Sequence, residues 1–147
     1  MQNSLSIKNR ADRALPVRLW RYQAERFPLV QHGLLIATFS FCAVTLSALL
    51  RGGVAWPTWQ TTITALLTLL GFFFQLRVAD EYKDFATDAR YRPERAVPRG
   101  LVTLAELRNV SFVWALLQIL LALWLDPRLL LLLTGVWLYM ALMRVEF

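Results

Sequence analysis

Four long apolar runs divide the chain. The first, 29–50, carries no charge, and its strongly polar residues, Gln31 and His32, sit near its start. The second, 58–76, is also uncharged and ends at Arg77. After a charged interval come 110–125 and 129–143. A helix of about 20 apolar residues crosses the hydrocarbon core of a bilayer. The pattern therefore predicts an all-α integral membrane protein with transmembrane helices over about 29–50, 58–76, 105–125 and 128–144. The last two runs are short and borrow length from their flanks, or the bilayer thins around them. The punctuation agrees. Pro28 suits the first position of a helix, Arg51-Gly52-Gly53 stops the first span, and Trp56 and Trp59 fit an interfacial belt. Asp126-Pro127 reads as an N-cap followed by a first-turn proline.

Before the first span the pattern changes. Residues 1–14 are polar and read as a mobile tail. Over 16–27, Leu15, Leu19, Tyr22 and Phe27 share a helical face with Trp20 beside them, while Arg18, Arg21, Glu25 and Arg26 hold the other. That predicts a short helix lying in the headgroup region, its charges in water. The apolar run that follows is too long for the core of a cleaved signal peptide.

Composition supports the membrane reading: 57% of the 147 residues are hydrophobic and the mean hydropathy is +0.45. Soluble domains run about 45–50% apolar. The net charge of +6 matters less than its placement. Six basic residues precede the first span, seven lie between the second and third, and Arg144 follows the fourth, leaving Arg51 and Arg128 for the other side. By the positive-inside rule both termini and the charged middle segment face the cytoplasm of a cell-membrane protein. The lone Cys42 excludes an internal disulfide and is expected as a buried, inert thiol.

The candidate chemistry lies in the charged interval. Asp80, Asp84 and Asp88 are four apart, so on a helix each is rotated by only about 40° from the last and all share one face, with Glu81 at its border. Like charges at that spacing repel, unless a cation lies between them. Magnesium, a hard ion held by a few carboxylates and substrate phosphates, is the natural candidate. Four arginines follow within eleven residues, over 90–100, in a stretch turned by Pro93, Pro98 and Gly100. Thr103 and Glu106 have the spacing of a capping box. The bland alternatives are a solvated helix end and arginines that only set topology.

Taken in register, Asp80-Glu81-x-x-Asp84-x-x-x-Asp88, then Arg92-Pro93, Pro98-Arg99-Gly100 and Thr103, resemble the diphosphate motif of the UbiA family of membrane prenyltransferases. The family carries Asn-Asp-x-x-Asp-x-x-x-Asp at the cytoplasmic end of its second helix; here the leading pair is Asp80-Glu81. The resemblance implies transfer of a prenyl group from a prenyl diphosphate to a lipophilic or aromatic ring acceptor. It implies Mg2+ on Asp80, Glu81, Asp84 and Asp88, and Lys83, Arg92, Arg95 and Arg99 on the diphosphate, all within a cytoplasmic Asp-rich loop spanning 77–104. It covers the N-terminal half of such an enzyme, because the family's second aspartate motif has no counterpart after Asp88, and the ending at Phe147 reads as a chain cut short.

Other classes fit less well. Asp80-Glu81-x-x-Asp84 also matches soluble isoprenyl diphosphate synthases, but the flanking uncharged spans argue against a soluble enzyme. There is no zinc spacing, Gly-rich phosphate loop or Ser-His-Asp order, and His32 has no sequence partner. The aromatics lie in spans and belts, so nucleic acid is not expected as a partner despite the pI near 10.2. The different-class alternative is a small four-helix membrane protein that binds or scaffolds without catalysis.

Overall fold

A computed structural model describes residues 14–52 and 56–146. Among them the chain forms five helices: α1 Leu15–Arg26, α2 Leu29–Leu50, α3 Trp59–Tyr91, α4 Leu104–Leu125 and α5 Leu129–Glu146. No strand occurs among the described residues. The tail expected over 1–14 lies, except for Ala14, outside them.

The boundaries follow local chemistry. Pro16 sits in the first turn of α1, where its missing N–H costs nothing. α2 is closed off just beyond its end by Gly52, whose φ of 75° lies in the left-handed region that glycine occupies freely. Its N–H closes on the Leu49 carbonyl at 2.9 Å. Thr58 caps α3 by accepting the Thr61 N–H. The capping box of α4 is complete: the Thr103 hydroxyl accepts the Glu106 N–H, and the Glu106 carboxylate accepts the Thr103 N–H at 2.8 Å. Asp126 and Pro127 do not take the N-cap and first-turn positions expected of them: Asp126 is the C-cap of α4, its carboxylate accepts the Arg128 N–H at 2.9 Å within the break, and regular helix begins only at Leu129.

One element differs in kind from the sequence reading. The segment expected as a loop over 77–104 is helix as far as Tyr91, so α3 runs unbroken for 33 residues. After Gly71 no glycine or proline intervenes until Pro93. The residue before a proline is pushed out of the helical region, and Arg92, at φ −140° and ψ 56°, is where α3 stops.

α2, α3 and α4 are each long and apolar enough to cross a membrane, and α5 is apolar over the shorter Leu129–Met143. α3 packs against α2 and α4, and α5 packs against α4. Large side chains such as Phe39, Leu46, Phe112 and Leu120 face outward, which lipid accommodates. Cys42 is among the outward-facing residues, contrary to the burial expected of it. A small apolar thiol needs no protein cover where the surroundings are hydrocarbon.

Between the helices the core is polar and tight. Thr64, Gly71 and Val78 form a buried stripe with a seven-residue repeat along α3, the spacing at which a helix keeps one seam against a neighbour. Gln118 of α4 is fully buried there. It donates to the Thr68 carbonyl at 2.9 Å and accepts from Gln75 at 2.9 Å, while Trp137 of α5 donates to Gln75 at 3.3 Å. In apolar surroundings such groups must be paired by the protein itself. Gly71 makes room for them: a Cβ there would lie 2.9 Å from Gln118 Nε2 and 3.2 Å from Trp114 Cε3. Gly71→Ala is therefore expected to destabilise the bundle by about 1–3 kcal/mol through overpacking. Gly33→Ala, with nothing within 4 Å, should gain up to about 1 kcal/mol from reduced backbone entropy. Thermal unfolding of both variants in detergent checks this; equal shifts would show that Gly71 is not the tight point.

Candidate functional site

The charged end of the bundle is assembled by α1. Its amphipathic pattern is real, but its charges do not all face water. Arg18 is buried and forms a two-pronged pair with Glu106 of α4, at 2.7 and 3.3 Å, and donates to the Leu101 carbonyl. Arg26 donates to Glu81 at 2.8 Å. Leu15 and Trp20, expected on or beside the packed face, are exposed. The helix is turned so that Arg18 and Tyr22, four apart, meet the bundle together. A buried carboxylate on α3, Glu81, and a half-buried one on α4, Glu106, offer more than lipid headgroups would.

Glu81 is the hub of this docking. Its side chain is 2% exposed, and one oxygen, Oε1, accepts from Arg26, from Arg77 at 3.0 Å and from the Tyr22 hydroxyl at 3.5 Å. Burial first, and the adjacent Glu81 carboxylate second, push the Tyr22 phenol above its usual range, so Tyr22 acts as a neutral donor. Around it, Val78, Ala96, Val97, Val102 and Leu107 close a small core. This pins the 92–103 turn to the helices. Within that turn Gly100 takes a φ of 80°, a left-handed conformation that glycine adopts freely. Tyr82 ties α3 to α4 by donating to the Leu104 carbonyl at 3.0 Å. Phe27 stacks on His32, whose ring nitrogen lies 3.1 Å from the Pro28 carbonyl oxygen, a structural setting for that histidine.

Against this frame opens a pocket of about 430 Å³. It is lined by Arg26 of α1, by Arg77, Asp84, Thr87, Asp88 and Tyr91 of α3, and by Arg92 and Arg95 of the turn. Asp88 is buried and paired with Arg95. Asp84 is exposed and makes no ion pair among the described residues, and the Arg92 guanidinium is likewise unpaired. The Arg77 Nε–H is buried without a partner. Arg26 and Arg77 share Glu81 and Arg95 holds Asp88, so Arg92 is the guanidinium left to attract a further anion, beside three others that could donate to one with several oxygens.

Of the residues singled out in the sequence, Asp84, Asp88, Arg92 and Arg95 meet in this pocket. The others lie elsewhere. Glu81 is consumed by the α1 dock. Asp80 has a 60% exposed side chain and only a loose contact with Arg77 at 3.7 Å. Arg99 forms a two-pronged pair with Glu25 of α1 at 2.6 and 2.8 Å. Lys83 does not line the pocket. Arg26 and Arg77 were not singled out as ligands, because nothing local distinguishes them from arginines that set topology.

Magnesium can be tested against this arrangement. Among the described residues no three His, Cys, Asp or Glu side chains gather as a metal-holding group. Asp84 and Asp88 supply two carboxylates, which fits magnesium in its usual mode only if phosphate oxygens and water complete the shell. Comparison with known protein families, curated proteins and solved structures finds no match.

Removing the hub should be costly. Glu81→Gln leaves Arg26 and Arg77 without their buried counter-charge and is expected to destabilise the protein by about 3–5 kcal/mol. Asp80→Asn, at an exposed pair, should stay within about 1 kcal/mol. Chemical unfolding of the two variants in detergent, with trypsin cleavage within α1 as a second readout, distinguishes a docked α1 from one free at the surface.

Proposed function

We propose that the chain is a UbiA-like prenyltransferase component with four membrane spans and its charged end in the cytoplasm. The pocket takes the diphosphate of a prenyl donor whose prenyl group passes to a lipophilic or aromatic ring acceptor. The observation that carries the reading is the meeting of Asp84 and Asp88 with Arg26, Arg77, Arg92 and Arg95 in one pocket at the end of an apolar helix. The motif resemblance over 80–103 supplies the reaction class, and the excess of arginine and lysine at this end supplies the sidedness.

The residues divide the work by charge. Arg92 and Arg95 reach the diphosphate from the turn, and Arg26 and Arg77 reach it from the helices. Together they hold its oxygens and offset the charge that grows as the carbon–oxygen bond breaks. Magnesium, held by Asp84 and Asp88, would add neutralisation of the leaving diphosphate. The allylic carbon then bonds to the acceptor ring, which gives up a proton. Asp80, one helical turn before Asp84, is exposed and does not line the pocket. The alternative, a four-helix module that binds or scaffolds without catalysis, is favoured by the engagement of Glu81 and Asp88 with arginines.

Binding separates the two. In lipid nanodiscs, farnesyl diphosphate is expected to bind in magnesium and far more weakly in EDTA. Asp84→Ala and Arg92→Ala should each raise the Kd by about tenfold or more, the scale of one lost charge-assisted hydrogen bond. Lys83→Ala should leave it unchanged. Equal affinity for wild type and Asp84→Ala, measured by isothermal titration, would leave only the non-catalytic reading.

A further inference from the structure

The ion pairs of the charged end are built unequally. Arg18 grips Glu106, and Arg99 grips Glu25, with two hydrogen bonds each. Glu81 receives two arginines and a tyrosine. Arg95 and Asp88 share a single hydrogen bond. Of these pairs it alone has both members lining the pocket.

The turn has other ties than that bond. Ala96 and Val97 are buried in the small core, Arg99 is held by Glu25 of α1, and the Arg92 N–H donates to the Asp88 carbonyl at 2.8 Å. Beside the pair stands a group of each sign without an ion-pair partner among the described residues. These are Asp84, one helical turn before Asp88, and Arg92, three residues before Arg95. A cation entering the pocket therefore meets one free carboxylate, and an anion meets one free guanidinium.

We propose that the Asp88–Arg95 pair is a latch that makes a divalent cation and a phosphate anion bind this pocket together. Arg95 turns from Asp88 to the anion, joining Arg92, and the released Asp88 joins Asp84 on the cation. Either ligand alone leaves one member of the pair without its counter-charge, which is costly where the pair is largely buried. The two together compensate both members, so each raises the affinity for the other by the same factor. The latch rests on the reading of the pocket as a magnesium and diphosphate site, and adds that each ligand is held off in the absence of the other. The engagement of Asp88, which by itself favours a non-catalytic module, becomes the means of that coupling.

The test uses the full chain in phosphatidylcholine nanodiscs. Manganese(II) binding is followed by electron paramagnetic resonance, and pyrophosphate binding in EDTA by isothermal titration. Arg95→Gln releases Asp88 and should bind manganese, with no anion present, about tenfold more tightly than wild type, the scale of one charge-assisted hydrogen bond. Asp88→Asn releases Arg95 and should bind metal-free pyrophosphate more tightly by about the same factor. Arg92→Gln and Asp84→Asn remove the same charges from the pocket without touching the pair. In the corresponding assays they should gain no more than about threefold, the scale of an exposed charge. The two pair variants approach the latch from opposite sides, so one decides the matter if thermal unfolding shows that the other does not fold. Gains no larger than those of the two controls overturn the latch and leave the pair a structural tie. Farnesyl diphosphate in magnesium separates this failure from that of the underlying reading. If Asp84→Ala binds it as tightly as wild type while both gains appear, the latch stands and the prenyl diphosphate reading falls. If Asp84→Ala loses it and neither gain appears, the reading stands and the latch falls.

Discussion

One buried carboxylate organises the charged end. Glu81 cannot lie at 2% exposure as a bare anion; desolvation would cost several kcal/mol. The answer is a cage of three donors from two elements: Arg26 and Tyr22 on α1, and Arg77 one turn back on α3. The same cage brings Arg26 and Arg77 to the wall of the pocket. The arginines that dock α1 thus also line the pocket. Arg18 with Glu106 repeats the principle on α4, so α1 is fastened at both ends by charge and in the middle by the Tyr22 ring.

The opposite half of the bundle is held differently. There the surroundings give no hydrophobic drive for helices to associate, and close approach with shared hydrogen bonds replaces it. Gly71 lets α4 come near enough for Gln118 to reach the Thr68 carbonyl. Gln75 then extends the network to Trp137 on α5. Trp59 against Trp124, and Trp56 against Phe41, close the far rim with ring contacts. α3 is common to both regimes, ionic at one end and amide-bonded at the other.

Much of this architecture was legible in the sequence, and what was not has a common cause. Hydropathy places α2 and α4 because a bilayer imposes its thickness on the apolar runs. The capping box of Thr103 and Glu106 is local and could be read directly. The orientation of α1 could not, because its partners Glu81 and Glu106 lie 55 and 88 residues away from Arg26 and Arg18. Amphipathicity ranks residues by polarity and does not show that a charge has a buried counter-charge. The same blindness hid Arg26 and Arg77 from the list of pocket residues, and placed Arg99 there although Glu25 holds it. A regular four-residue spacing also overstated the unity of the aspartates. Successive rotation carries Asp88 under the turn while Asp80 stays outside. The Gly71 stripe was there to be found by its seven-residue period.

The unbroken length of α3 has a mechanical corollary. Thirty-three residues make a rod of about 50 Å, against roughly 30 Å of hydrocarbon. The excess stands outside the apolar slab and ends in Asp84, Asp88 and Tyr91, without a hinge between the membrane and these groups. Any adjustment of tilt to a thicker or thinner bilayer swings that outer end as a lever and moves the aspartates with it. Arg92 and Arg95 sit beyond the break, on a turn clamped to α1 and α4. Because Glu81 fastens α1 to α3 and Asp88 fastens the turn to it, such a swing carries the whole charged end as one piece, so the lipid around α3 sets where the pocket stands above the membrane rather than how wide it is.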